Sequence, residues 1–178
     1  MISESALVAK GKIGNQRAFK LLFENNVDKL YRFLNQFSKN TDEVEDWVQR
    51  AFIKAFLNID KFKGKSKFST WLIRIGINEM KTDYRKANLF SSTEGENDEN
   101  PLHLYSQEPA FEWEYDMKIY LDELEDTKRA IFILYEVEGY SHQEISEILE
   151  ISESSSRTNL HRAKKKLQSF LLNREDVI

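Results

Sequence analysis

Apolar residues recur at three- and four-residue spacing along almost the whole chain, and this periodicity constrains the fold more than any other feature. Alternation at period two, the mark of a half-buried strand, is nearly absent. The pattern predicts helices over about residues 15–38, 42–58, 68–87, 112–119, 121–138, 142–149 and 153–172. Only six glycines and two prolines occur among 178 residues, so few positions can break a helix. Both prolines fall in "NLFSSTEGENDENPLHLYSQEP", Asn88 to Pro109, which has no periodicity and reads as a linker. The expectation is an all-α chain of two small helical domains, residues 1–88 and 112–178, joined by a flexible acidic linker over 89–111. No internal repeat is visible, and the second module is short for an independent core.

The formal charge of −4 hides a segregated distribution. From Lys61 to Lys86 eight basic residues face only Glu79 and Asp83. From Glu94 to Asp126 twelve acids face only Lys118. From Ser154 to Leu172 there are five Lys or Arg and no acid. Basic islands on an acidic protein point to local contact with a polyanion. The absence of cysteine excludes disulfides and thiolate chemistry. His103, His142 and His161 are scattered, and no nucleophile or metal-ligand constellation appears. The expectation is therefore no catalytic residue, no metal and no cofactor. The N-terminus "MISESALVAKGK" lacks an apolar signal core and no segment is long enough to span a bilayer, so a cytoplasmic protein without membrane insertion is expected.

The acid-free stretch lies in a recognisable local pattern. Ser141 can cap "HQEISEIL", with Glu144 completing a capping box. Ile145 and Leu149 give that helix an apolar face. Glu150 and Ile151 make a tight connection, and Ser152 caps a second helix. There Ser156, Leu160, Ala163 and Leu167 share one side, while Ser154, Ser155, Thr158, His161, Arg162 and Lys165 share the other. Two short helices around such a turn, the second polar and basic, form a helix-turn-helix. Small Ser and Thr near a helix N-terminus allow close approach to phosphate. Arg157 or Arg162 could reach guanine edges, Asn159 could read adenine if it faces the groove, and Lys164, Lys165 and Lys166 would hold phosphates. The plainer alternative is a solvated amphipathic helix whose basic C-terminus suits its dipole.

In the N-terminal module, "DEVEDWVQRAF" begins an amphipathic helix with acids at its positive end. Trp47, Ala51 and Phe52 read as core, while Glu45, Gln49 and Lys54 can lie outside. An exposed acidic and amide face also suits a protein partner. Next, "IDKFKGKSKFSTWLIRIGINEMKTDYRK" places Lys61, Lys63, Lys65 and Lys67 in a glycine-containing loop before a helix carrying Trp71, Arg74, Asn78, Lys81 and Arg85. "KGKS" is not a phosphate loop, because the required earlier glycine is Ile59. Lysines beside aromatics suit single-stranded nucleic acid, with Phe62, Phe68 and Trp71 either stacking on bases or anchoring the core.

Taken in order and spacing, "DEVEDWVQRAFIKAF", "FSTWLIRIGINEMKTDYRK" and "RAIFILYEVEGYSHQEISEILEIS…LHRAKKKL" resemble the bacterial RNA polymerase sigma factors of the sigma-70 family, extracytoplasmic-function (ECF) class. The resemblance covers about residues 12–87 and 118–172. It implies a transcription initiation factor with no catalysis of its own, whose partners are core RNA polymerase and promoter DNA. Relatives are often held by an anti-sigma factor, which adds a further candidate partner. By motif match, Glu45, Asp46, Gln49 and Phe52 would sit on the polymerase-facing helix of region 2. Lys61, Lys63, Lys65, Lys67, Arg74, Asn78 and Lys81 would face the non-template strand at the −10 element. The C-terminal module resembles region 4, whose second helix reads the −35 element, here through Ser154, Ser155, Arg157, Thr158, His161, Arg162 and Lys165. The linker would be similar to those threaded along the polymerase channel. Many relatives carry a Gly-Thr-Val-like triplet where this chain has Ser154-Ser155-Ser156, so Ser156 replaces an apolar packing residue. The competing reading is a helix-turn-helix regulator that acts as a dimer without being a polymerase subunit.

Overall fold

The computed structural model describes residues 2–91 and 119–175, and every regular element among them is helical. The chain divides into two compact units between Tyr105 and Ser106. In the first, α1 is Glu4–Lys12, α2 is Gln16–Leu34, α3 is Thr41–Leu57 and α4 is Phe68–Ser91, with a single 3-10 turn at Ile59–Lys61. In the second, residues 119–122 are helical. They are followed by α5 (Asp126–Phe132), which runs into a π turn at Ile133–Val137, then α6 (His142–Leu149) and α7 (Glu153–Glu175).

The first unit packs α2, α3 and α4 around one core. Ala18, Leu22, Leu30, Phe33 and Leu34 line the inner face of α2 at helical spacing, with Val44, Trp47, Val48, Ala51, Phe52 and Ala55 on α3 and Phe68, Leu72, Ile73, Ile77 and Met80 on α4. Asn26 interrupts the α2 stripe, and its amide donates to the Leu22 carbonyl at 2.8 Å, which satisfies it without a partner helix. Burial of each large side chain is worth about 1.5–3 kcal/mol, so this core, not the surface ion pairs, carries the fold.

Several boundaries differ from the sequence expectation. Helix α1 was not expected at all. Ser3 caps it by accepting from the Ala6 N–H at 3.3 Å, and Leu7 and Val8 are buried. Its apolar face is only two turns long and includes Gly11, too weak a periodic signal to stand out. Helix α2 stops at Leu34, where the chain turns so that Phe37 is buried. Helix α4 runs to Ser91 and takes in the start of the expected linker. The helix expected over 121–138 is broken. Arg129, itself 7% exposed, donates to the carbonyls of Asp122 (2.9 Å) and Leu124 (3.3 Å), which the break leaves without helical partners. The rest of the expected linker, and the expected helix at 112–119 up to residue 118, lie outside the described residues.

The two acids of the basic stretch Lys61–Lys86 point into the α3–α4 seam. Glu79 is 3% exposed, and one of its carboxylate oxygens accepts from Lys54 at 2.6 Å. Asp83 accepts from the Trp47 indole N–H at 2.9 Å and is chelated by the Arg50 guanidinium. The Arg50 hydrogen bond holds the Asp83 carboxyl below the usual carboxylate range, opposed by burial and aided by Trp47. Asp83→Ala is expected to lower stability by about 1–2 kcal/mol, discounted for the partial exposure of the pair, as read from urea unfolding of the full chain. A loss under a few tenths of a kcal/mol would show that the Arg50–Asp83–Trp47 cluster does not tie the helices together.

Candidate polymerase and nucleic-acid surfaces

With Glu79 and Asp83 turned inward, the outward stripe of α4 holds Trp71, Arg74, Asn78, Lys81 and Arg85 at three- and four-residue intervals and no acid. Arg74, Asn78, Lys81 and Arg85 are exposed and Trp71 is partly so. The loop that precedes α4 exposes Lys61, Lys63, Lys65 and Lys67. Its two flanking rings resolve the choice left by the sequence, because Phe62 (7% exposed) and Phe68 (0%) are core. They meet edge-on at 5.9 Å and both abut Trp71, at 5.2 and 5.8 Å. Trp71 is the one ring of the three with a face partly open to solvent. Lys61 also donates to the Asn58 side chain at 2.7 Å.

On α3, Glu45, Asp46 and Gln49 are exposed, as the pattern of that helix requires. Asp46 also pairs with Arg50 at 3.1 Å, which links it to the α3–α4 seam. Phe52 does not join this face. It is 3% exposed and packs between Phe23 and Phe56, with ring centroids 4.7 and 5.8 Å away, so its role is to seat the helix. The face continues instead into Ile53 and Leu57, exposed at 50% and 76%, while Phe23 on α2, which packs on Phe52, is exposed at 40%. Sequence reasoning missed Ile53 and Leu57, although they stand four and eight residues beyond Gln49.

In the second unit Ser141 and Glu144 form the capping box of α6, and the Ser152 hydroxyl accepts from the Ser155 N–H at 3.0 Å to begin α7. Between them Glu150 adopts the left-handed conformation (φ 58°), which makes the sharp turn. Helix α7 buries Ser156, Leu160, Ala163 and Leu167. Ser154, Arg157, Thr158, His161, Arg162 and Lys165 are exposed, and Ser155 is half-buried. Their contacts separate them. Arg157 is drawn back to Glu153 at 3.2 Å. Asn159 does not point outward as a free reader, because its amide donates to the Ser155 carbonyl and hydroxyl at 3.0 and 3.2 Å. Lys164 pairs with Glu136 at 2.6 Å, and Lys166 donates to the Glu123 carbonyl, so neither is the unattached phosphate holder expected of it. Among the described residues, Arg162 and Lys165 make neither a hydrogen bond nor an ion pair.

Ser156 is fully buried where an apolar residue was expected, and its hydroxyl lies 2.8 Å from His142 Nδ1. The His142 ring stacks on Tyr135 at 4.5 Å. The serine is thus satisfied by a side chain of the first helix of the motif. Burial, with the Arg157 charge, pushes the His142 imidazole below its ordinary 6.5, opposed by Glu153.

The comparisons with known proteins agree with this arrangement. The profile of sigma-70 region 2 matches residues 22–89, and that of sigma-70 region 4 matches residues 120–167. The ECF RNA polymerase sigma factor SigW of Bacillus subtilis is 33% identical over an alignment of 178 residues, covering 90% of this chain and 92% of the relative. Among solved structures, CnrH in complex with the cytosolic domain of CnrY superposes with a TM-score of 0.71 at 26% identity, covering 94% of this chain and 96% of CnrH. The sigma factor RpoE of Bartonella quintana, in complex with the anti-sigma factor NepR, gives 0.70 at 26% identity, covering 86% of this chain and 96% of that one. The order of the two regions and the helix-turn-helix geometry define a sigma-70-type protein. Within that class, the chain belongs to the ECF RNA polymerase sigma factors. Among the described residues no helix is long and apolar enough to cross a membrane.

The His142 environment yields a pH dependence with a defined sign. The folded chain holds His142 neutral below the pH at which the unfolded chain takes up its proton, near 6.5. Its contribution is therefore complete above that pH and is lost as pH falls toward the lowered folded value. Calorimetric melts of the full chain should show the stability gap between wild type and His142→Gln narrowing from pH 7.5 to 5.5. A gap that stays constant would show that His142 titrates alike in both states.

Proposed function

We propose that the chain binds core RNA polymerase through the outer face of α3, carries it to promoters, and uses its two acid-free surfaces to read and open DNA. The observation that carries this reading is the pairing, on one chain and in order, of a region 2 match and a region 4 match, each bearing a basic outward face. In this account Lys61, Lys63, Lys65, Lys67, Arg74, Asn78 and Lys81 meet the non-template strand of the −10 element. Lysines neutralise the backbone, while the partly open Trp71 ring and the polar α4 stripe contact unstacked bases. Arg162, Thr158 and His161 face the −35 element, with Lys165 on phosphate and Ser154 and Ser155 allowing close approach at the start of α7. Arg157 takes part after release from Glu153. The stretch 89–111, whose first residues still belong to α4, connects the two activities. The protein has no catalytic centre of its own, takes no cofactor and works in the cytoplasm with the polymerase. An anti-sigma factor is a further partner, supported by the two solved relatives, each bound to such a protein or to a partner's cytosolic domain.

Polymerase docking is tested on residues that leave the α3–α4 seam untouched. Gln49→Ala combined with Leu57→Ala is expected to weaken core binding at least about tenfold, equivalent to ~1.4 kcal/mol, with unchanged helicity. Fluorescence anisotropy against core polymerase reads the affinity. Wild-type affinity in the folded double variant would place the interface elsewhere.

DNA reading is tested by transcription from genomic promoters with core polymerase, followed by a library randomised in the upstream element. Arg162→Ala should cost roughly 1–3 kcal/mol and relax preference at one position. Lys165→Ala should weaken all sites alike and lower the salt slope by about one unit. An Arg162→Ala holoenzyme that keeps the full upstream preference would remove Arg162 as a base reader.

A further inference from the structure

The lysine loop leaves the core at Phe62 and re-enters it at Phe68, where the two rings meet. That contact closes the base of the loop but does not set the direction of its backbone. Helix α1 does so, from both sides. The Lys12 ammonium donates to the Phe62 carbonyl at 2.6 Å, across fifty residues of sequence. The Glu4 carboxylate accepts from the Phe68 backbone N–H at 2.7 Å, across sixty-four. That N–H is a first-turn donor of α4 with no partner inside its own helix. Both bonds have a charged partner and are stronger than neutral ones. The position of α1 is itself tightly set. Leu7 and Val8 are buried, and a Cβ on Gly11 would lie 2.9 Å from Ile59 Cδ1 and 3.0 Å from Phe19 Cε1. Ile59 belongs to the 3-10 turn that leads into the loop, so helix, turn and loop share one seat.

We propose that α1 is a clasp that sets the path of the lysine loop, with Glu4 and Lys12 as positioning residues for uptake of the melted DNA strand. The inference rests on the reading above, in which residues 61–67 meet unpaired DNA. A slack loop must be ordered when the strand arrives, and that entropy is subtracted from affinity. A loop anchored at both ends by long-range bonds meets the strand already in place. Neither Glu4 nor Lys12 touches DNA in this account, because the Lys12 ammonium is engaged by a carbonyl and Glu4 would repel phosphate.

The test uses the full-length chain, alone and in holoenzyme with core polymerase, on a duplex promoter recovered from the genomic assay. Glu4→Ala with Lys12→Met removes both bonds. Glu4→Gln with Lys12→Arg keeps an acceptor and a donor at the same places. In the free chain, hydrogen exchange of amides 62–68 should accelerate about tenfold in the first variant, as expected for loss of about 1.4 kcal/mol of local protection. Permanganate reactivity should report a five- to tenfold loss of open complex, on the scale of one lost charge-assisted bond, with core affinity and salt slope unchanged. The conservative pair should stay within about twofold of wild type. If the first variant does not fold, Lys12→Met alone, which keeps the Glu4 bond, is measured in its place. Unchanged loop exchange overturns the proposal. So does full open-complex formation with a loosened loop, and so does a salt slope lowered by about one, which would make Lys12 a phosphate contact. Lys63→Ala with Lys65→Ala separates the two levels. If this variant melts DNA normally, the loop reading fails and the clasp with it. If it fails to melt DNA while Glu4→Ala with Lys12→Met succeeds, only the clasp is lost.

Discussion

Glu79 and Asp83 point inward from α4, where Lys54, Arg50 and Trp47 receive them. The character of the N-terminal unit's surface depends on that orientation. Had both carboxylates faced outward, each would sit within a helical turn or two of Arg74, Asn78 and Lys81 and break the basic stripe. Each opposite-charge pair at about 7 Å in water is worth only roughly 0.6 kcal/mol, so the effect on folding is small. The effect on a polyanion is larger, because an acid on the stripe removes one attraction and adds one repulsion. The apolar core holds the helices together, and the two inward acids decide which charges remain on view.

The C-terminal unit applies the same logic with different groups. Arg129 joins the broken helical segment to α5, Lys164 ties α7 to Glu136 on the π turn, and His142 satisfies the buried Ser156. The Arg129 and Ser156 contacts satisfy buried polar groups, and the Lys164 and His142 contacts tie α7 to the elements before it. The turn between α6 and α7 needs a left-handed residue, and Glu150 takes that conformation without being glycine, at a cost of about 1 kcal/mol or slightly more. The capping box at Ser141 and the Ser152 cap offset that cost locally, since each N-cap is worth about 1 kcal/mol.

Much of this was legible in the sequence. Helix α6 and the start of α7 were readable because Ser141, Glu144 and Ser152 are strong local caps. The inner face of α3 was readable because Trp47 and Ala51 stand four residues apart with Phe52 beside them. What remained hidden was set by partners far away in the chain. Helix α1 has few apolar residues of its own and is recognised by what it touches, namely Ile59, Phe62 and Phe68. The outward appearance of Arg157, Asn159, Lys164 and Lys166 was a property of the isolated helix, and their engagement with Glu153, Ser155, Glu136 and Glu123 required geometry. Phe52 shows the two kinds of reading side by side: the resemblance places it on the polymerase-facing helix, and its apolar character marks it as core, where it is buried.

The engagement of three of the five cations between Ser154 and Leu172 has a thermodynamic consequence for how the proposed factor would work. If the proposed reading holds, cations already paired with Glu153, Glu136 and the Glu123 carbonyl must give up those partners on reaching DNA, which would lower the affinity of the helix for a duplex at cellular salt. In the proposed account the α4 surface receives a strand that is paired until melting, so it too would be weak for the intact duplex. Two weak sites on one chain become useful when each raises the local concentration of the other's target. Under that proposal selectivity would belong to the assembly, which needs both DNA elements at the right separation, and a chain away from polymerase would leave the genome largely unoccupied.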